Sequence, residues 1–213
     1  MAHFLGLGLT HYPLLAGTDE HMASLLRWTL ADPGIPAAAK DPANWPEAMR
    51  EEWGTDQGVT AAAQHRKMLV DNLARCRQAL DEFKPDVVVV WGDDQYENFR
   101  EEIIPPFCVL AYGDVEAEPF ELMTERGSPN AWGLPDDTTI TLHGDPANAR
   151  LLTTALIERG FDMAYSYERR KDSAFPHAIA NTQLFLDYPN AGAKFDYPMI
   201  PITVNCYGPH VIA

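Results

Sequence analysis

Short solid apolar runs alternate along this chain with stretches of helical spacing, and the polar residues that interrupt the runs do so abruptly. In Pro85-Asp-Val-Val-Val-Val-Trp-Gly-Asp-Asp-Gln95 four consecutive valines meet a knot of carboxylates and an amide. An uninterrupted apolar run of that length predicts a strand buried on both faces of a parallel sheet, because a half-solvated strand would alternate apolar with polar residues. His3 to Leu9 forms a second short run that breaks at Thr10-His-Tyr-Pro13. Two strands are thus expected to deliver polar groups to one edge. Further strands are expected within 107–112, 138–142 and 200–204.

From Thr60 to Phe83, residues Ala62, His65, Leu69, Leu73, Cys76, Leu80 and Phe83 recur at three- and four-residue steps, which predicts one long helix with a single apolar face. Pro85 stops it ahead of the valine strand. His65 lies far enough before Phe83, about 27 Å at 1.5 Å per residue, to stand near the carboxyl edge of a returning strand of about 17–20 Å. A second helix is predicted over 146–159, capped by Asp145 and ended by Gly160. Residues 32–53, rich in proline and tryptophan, read as a loop-rich excursion with short helical pieces, and 116–137 as a long loop. The pattern is that of an α/β protein: a single catalytic-type domain over 1–213, with a mostly parallel central sheet flanked by helices and long active-site loops.

The 213 residues suffice for a substantial core, with 46% apolar residues. Sixteen basic and 31 acidic residues give a formal charge of −15, which disfavours nucleic acid and anionic membrane as partners. Three widely spaced cysteines, Cys76, Cys108 and Cys206, form no CxxC pair and suggest neither a disulfide framework nor a zinc knuckle. With no basic region before the first apolar run and no stretch of membrane-spanning length, the expectation is a soluble cytoplasmic protein.

Chemistry is expected at the carboxyl edge of the sheet, where open α/β folds bind ligands. His11 leaves the first run there, fixed by Tyr12-Pro13; a histidine satisfied within the turn is the bland alternative. Asp93, Asp94 and Gln95 offer oxygen ligands to a hard cation, or a hydrogen bond to a histidine ligand, or only a capped turn. His177 follows Pro176 among apolar neighbours, which suits either a general base or a packed core ring. His143 ends the run at 138–142 and either faces the same edge or caps the next helix. His65 either packs on its helix or reaches the site. His3, His21 and His210 are expected on the surface or in loops. The chain lacks a nucleophile elbow, a phosphate loop, an H-E-x-x-H helix and a full dinucleotide fingerprint, which leaves metal-assisted chemistry, with non-haem iron fitting mixed imidazole and carboxylate ligation.

The ordered pieces Leu9-Thr-His-Tyr-Pro13, Pro85 to Gln95, Phe99-Arg-Glu-Glu-Ile-Ile-Pro-Pro-Phe107, Pro176-His177 and Ile200-Pro-Ile-Thr-Val-Asn205 resemble the class III extradiol ring-cleavage dioxygenases, in the type of the protocatechuate 4,5-dioxygenase catalytic subunit. The resemblance implies Fe(II) and a small aromatic substrate cleaved with O2; zinc and manganese are the other metals the donor types would accept. It also implies an oligomer that can include a small companion subunit. It makes His11 a metal ligand and His177 the acid/base; His143 stays a further catalytic candidate from its place at the end of a run, and Tyr12 and Tyr96 either pack beside such a ring or belong to ordinary core. The family's second histidine ligand is replaced here by Gln95, so that Gln95, Asp94 or His65 would complete the site. The family's glutamate ligand would lie in a C-terminal portion beyond the matched pieces. A non-catalytic binding module and a zinc-dependent hydrolase or lyase are the alternatives.

Overall fold

The computed structural model describes residues 3–125, 127–170 and 173–206, so His210 lies outside the described residues. The helices are α1 (Asp19–Met22), α2 (Ser24–Ala31), α3 (Ala37–Lys40), α4 (Glu47–Trp53), α5 (Val59–Phe83), α6 (Glu121–Glu125), α7 (Pro146–Glu158) and α8 (His177–Leu186). The strands are β1 (Val88–Asp94), β2 (Phe107–Leu110), β3 (Val115–Ala117), β4 (Ile140–Leu142), β5 (Ala164–Ser166) and β6 (Met199–Asn205). The chain divides into two compact units, and α5 contributes to both.

The first unit, within 1–11, 73–119 and 137–213, holds the sheets. Its central sheet has the order β1-β6-β2-β5; β1 with β6 and β2 with β5 are parallel, and β6 with β2 antiparallel. Strands β3 and β4 form a separate antiparallel pair. One face of the central sheet is covered by α8, whose Ile179 and Ala180 join Val90, Cys108 and Leu110 in the main core. On the other face Ala149 of α7 packs with Val109, Ile200 and Ile202. Asp145 caps α7 by accepting from Asn148 N at 3.0 Å, and Gly160, at φ 84°, follows its end, as the sequence pattern requires.

Two expectations change. The valine strand is an edge strand and is covered on one face only: Val90 is buried, whereas Val89 and Trp91 are 43% and 59% exposed. The reason is lateral, since α7 packs mainly over β2 and β6, inward of the outer strand. Residues 3–9 lie in no helix and no ladder, because a strand exists only through a hydrogen-bonded neighbour. They flank, with β1, an apolar groove of about 900 Å³ that reaches His11, Gly92 and Ala178.

The second unit, within 12–72 and 120–136, is a set of short helices. Arg66 ties its entry together by donating to Leu15 O and Gly17 O, at 2.7 and 2.6 Å, and by pairing with Asp19. The proline-rich stretch forms short helical pieces, with Trp45 packed edge-on against Trp53. His21 is not a surface residue: it is 6% exposed, edge-on to Trp28, and a Cβ on Gly17 would meet its Nδ1 at 2.3 Å. The stretch expected as a long loop contains α6 and is otherwise irregular. No helix among the described residues is long and apolar enough to cross a membrane.

Candidate active site

Strand β1 ends in Asp93 and Asp94, paired in register with Val204 and Asn205 of β6, and two adjacent residues of a strand point to opposite faces. Their environments accordingly diverge. Asp94 is 1% exposed and accepts from Asn98 N at 3.2 and 3.3 Å, from Asn98 Nδ2 at 2.9 Å and from Phe99 N at 3.5 Å. It folds the following turn, in which Tyr96 takes a positive φ of 65°, and burial pushes its pKa up. Its oxygens are thus engaged inside the protein.

Asp93 faces the other way. Its Oδ1 stands 3.1 Å from His11 Nε2, is buried, and has no hydrogen-bond partner among the described residues. Its Oδ2 accepts from Gln95 Nε2 at 2.5 Å and from Cys206 Sγ at 3.2 Å. Burial works against the charge on Asp93, but these donors and the nearby imidazoles outweigh it and hold the carboxyl below its ordinary range. The Cys206 thiol is pushed up to about 11 by partial desolvation and by Asp93, so it stands as a protonated donor.

Helix α8 supplies the third group. Its tight fit on β1 depends on Gly92, where a Cβ would meet Ile179 Cδ1 at 2.8 Å and Ala178 Cβ at 3.0 Å. That approach sets His177, the first residue of α8, beside His11 with ring centroids 5.2 Å apart in an edge arrangement. One turn on, Asn181 donates from Nδ2 to His11 O at 3.0 Å, so a single face of α8 carries one imidazole and holds the backbone of the other. Ligand atoms of His11, Asp93 and His177 all lie within 4.8 Å of one another. Among the described residues this is the group of histidine and acidic side chains able to hold a metal ion.

His177 Nδ1 lies in hydrogen-bond contact with Glu97 Oε1, and the His177 backbone N donates to the same oxygen at 3.2 Å. Burial would lower the His177 pKa, but the hydrogen bond and charge of Glu97 prevail and raise it above 6.5. Burial likewise opposes the charge on Glu97, which the His177 contact nevertheless holds below its ordinary range.

Of the residues singled out in the sequence, His11 and His177 are brought together, and Asp93 of the acidic pair joins them. Asp94 and Gln95 do not; Gln95 is exposed and its amide nitrogen is spent on Asp93. His65 is an exposed residue of the second unit, where it lines a cavity of about 580 Å³ with Tyr12, Met22, Trp53 and Met68. His143 stands beyond β4 with Nδ1 3.2 Å from Asp114 and Nε2 3.8 Å from Asp196. Glu97 and Asn181 were not singled out. Glu97 stands two residues past Gln95, a proximity that could have marked it, whereas nothing in the local pattern connects Asn181 with His11.

No family model matches the chain. It is 29% identical over 133 residues, 62% of its length, to a 2,3-dihydroxyphenylpropionate/2,3-dihydroxicinnamic acid 1,2-dioxygenase 2 of Pseudomonas putida, of which it covers 35%. It is 29% identical over 150 residues, 70% of its length, to the enzyme named 2,3-dihydroxyphenylpropionate/2,3-dihydroxicinnamic acid 1,2-dioxygenase in Comamonas testosteroni, of which it covers 39%. A protein of that name from Mycobacterium sp. (strain MCS) is 30% identical over 138 residues, 62% of the chain and 35% of the relative. The chain thus spans little more than a third of the length of these curated relatives, and its similarity to them is to proteins named as aromatic-ring dioxygenases.

Proposed function

We propose that the chain carries the site of a non-haem iron-dependent extradiol-type dioxygenase of the class III family, which opens a small catechol-like or aminophenol-like ring with O2. The observation that carries this reading is the convergence of His11, Asp93 and His177 at the end of β1. The donor set fits a metal: Asp93 Oδ1 is a buried carboxylate oxygen with no hydrogen-bond partner among the described residues, yet it faces an imidazole nitrogen at 3.1 Å. Mixed imidazole and carboxylate donors suit ferrous iron. His11 and Asp93 would hold the ion, in place of the ligand expected at residue 95. When bound, iron supplies the electron transfer that makes O2 reactive toward a chelated ring diol.

The protein's own groups then have separate tasks. His177 takes the proton of a ring hydroxyl and returns it as the ring opens. Gln95 holds Asp93 in place through its amide nitrogen. The apolar groove that ends at His11 supplies a surface on which an aromatic ring loses its water, with Tyr96 in the turn beside the site. The names of the relatives support a dihydroxylated phenylpropionate as the first substrate to try.

The test is anaerobic loading with Fe(II) followed by O2 uptake with catechol, 2,3-dihydroxyphenylpropionate and 2-aminophenol. Uptake with appearance of a ring-opened chromophore is expected, and H177Q should keep the metal while losing about 10²–10⁴-fold in turnover. Stoichiometric iron without uptake on any of the three would reject the reading.

A further inference from the structure

The carboxylate of Glu97 has no part in the metal corner, yet both of its oxygens are engaged at the site. Its Oε1 lies against Nδ1 of the His177 ring and accepts the backbone N–H of the same residue. Its Oε2 receives Gln95 N at 2.5 Å. With both oxygens bound, the carboxylate cannot turn away from the ring. The contact is also sheltered, the two side chains being 22% and 15% exposed, so water competes poorly for it.

The arrangement follows from the helix it serves. Pro176 precedes α8 and offers no side chain to cap it, which leaves the N–H of His177 without a local partner. Glu97 reaches across 80 positions of sequence to fill that role, where a negative charge is also favoured by the helix dipole. A cap alone would need one oxygen on the backbone; here the same oxygen takes the imidazole as well. Residue 95 links this carboxylate to the other one, with its backbone on Glu97 and its amide on Asp93.

We propose that Glu97 is the positioning residue of the site, holding the His177 proton on Nδ1 and leaving Nε2 as the basic nitrogen of a ring that stands edge-on to His11. The hydrogen bond made by one ring nitrogen decides the state of the other, so removing the carboxylate removes the preference. No proton leaves the dyad in this role: Nε2 takes the substrate's proton, and Glu97, remaining ionised, balances the imidazolium that results. The inference rests on the acid/base role proposed for His177, but its test does not need turnover.

Long-range 1H–15N spectra of the 15N-labelled full chain, in alkaline buffer where the ring is neutral, report which nitrogen carries the proton, with H177Q identifying the signal. In the wild type a protonated Nδ1 and a bare Nε2 are expected. In E97A the proton should redistribute toward Nε2, with turnover falling about 100-fold at little change in KM. A bare Nδ1 in the wild type overturns the proposal, whether or not any variant folds, and so does an E97A spectrum identical to it. A wild type without O2 uptake would count against ring cleavage alone, because the spectra decide the dyad independently.

Discussion

Replacing Asp94 by alanine separates a structural carboxylate from a ligand. In the native protein Asp94 accepts from Asn98 N, Asn98 Nδ2 and Phe99 N, and both Asp94 and Asn98 are buried, at 1% and 4% exposure. The alanine variant strands the two Asn98 donors in a dry turn. At about 1–3 kcal/mol for each buried donor left unpaired, the loss is about 2–6 kcal/mol. The contact to Phe99 N, at 3.5 Å, adds little. For a chain of this size each kcal/mol lowers Tm by about 2–4 °C, so a fall on the order of 10 °C is expected. D94N keeps one acceptor oxygen and should recover about half of the loss. Urea and thermal unfolding give the stability, and calorimetric titration with Fe(II) or Zn(II) at a temperature where the variant remains folded gives the metal affinity. If Asp94 serves the turn, stability falls and affinity changes by less than about threefold. A tenfold or greater loss of affinity with unchanged stability would refute this division between Asp93 and Asp94.

Three further outcomes follow from the same geometry. Alanine at His11 or Asp93 should each weaken metal binding by more than about tenfold while leaving the urea midpoint nearly unchanged, because both groups lie at the end of β1 outside the main core; retained affinity in both would dismiss the corner. Gly92→Ala places a methyl 3.0 Å from Ala178 Cβ, which cannot rotate away as Ile179 Cδ1 can, and should cost about 1–3 kcal/mol and reduce turnover through displacement of His177; wild-type stability and turnover would mean that α8 yields freely. The pH dependence has a definite sign. The raised pKa of His177 contributes stability that is complete below its ordinary 6.5 and lost as pH rises through the folded value. The lowered pKa of Glu97 contributes stability that is present above its ordinary 4.5 and lost as pH falls through the folded value. The pair therefore stabilises most between about 4.5 and 6.5, and E97Q should flatten the decline in urea midpoint above 6.5.

Much of this architecture is legible from the chain itself. The spacing of Ala62, Leu73 and Leu80 specifies a long helix, and the valines specify the strand that ends at the site. Asp145 and Gly160 mark the ends of α7, because caps and positive φ are local requirements written in single residues. Histidine after a short apolar run and histidine after proline, at 11 and 177, likewise stand out locally.

What the chain leaves open is everything that depends on lateral neighbours. Whether β1 lies at the edge or the centre of its sheet is a matter of which strand arrives beside it, and the arrival of β6 on one side alone leaves Val89 and Trp91 exposed. In the acidic knot, residue type indicates carboxylates but not their direction. The pleat sends Asp94 into the turn and Asp93 toward His11, a choice set by register with β6. Glu97 meets His177 across 80 residues of sequence, and Asn181 meets His11 across 170. Hydrophobic periodicity determines which segments become helices and strands because it acts over a few residues; only packing, through the close seat of α8 on Gly92, determines which polar groups finish within reach of one another.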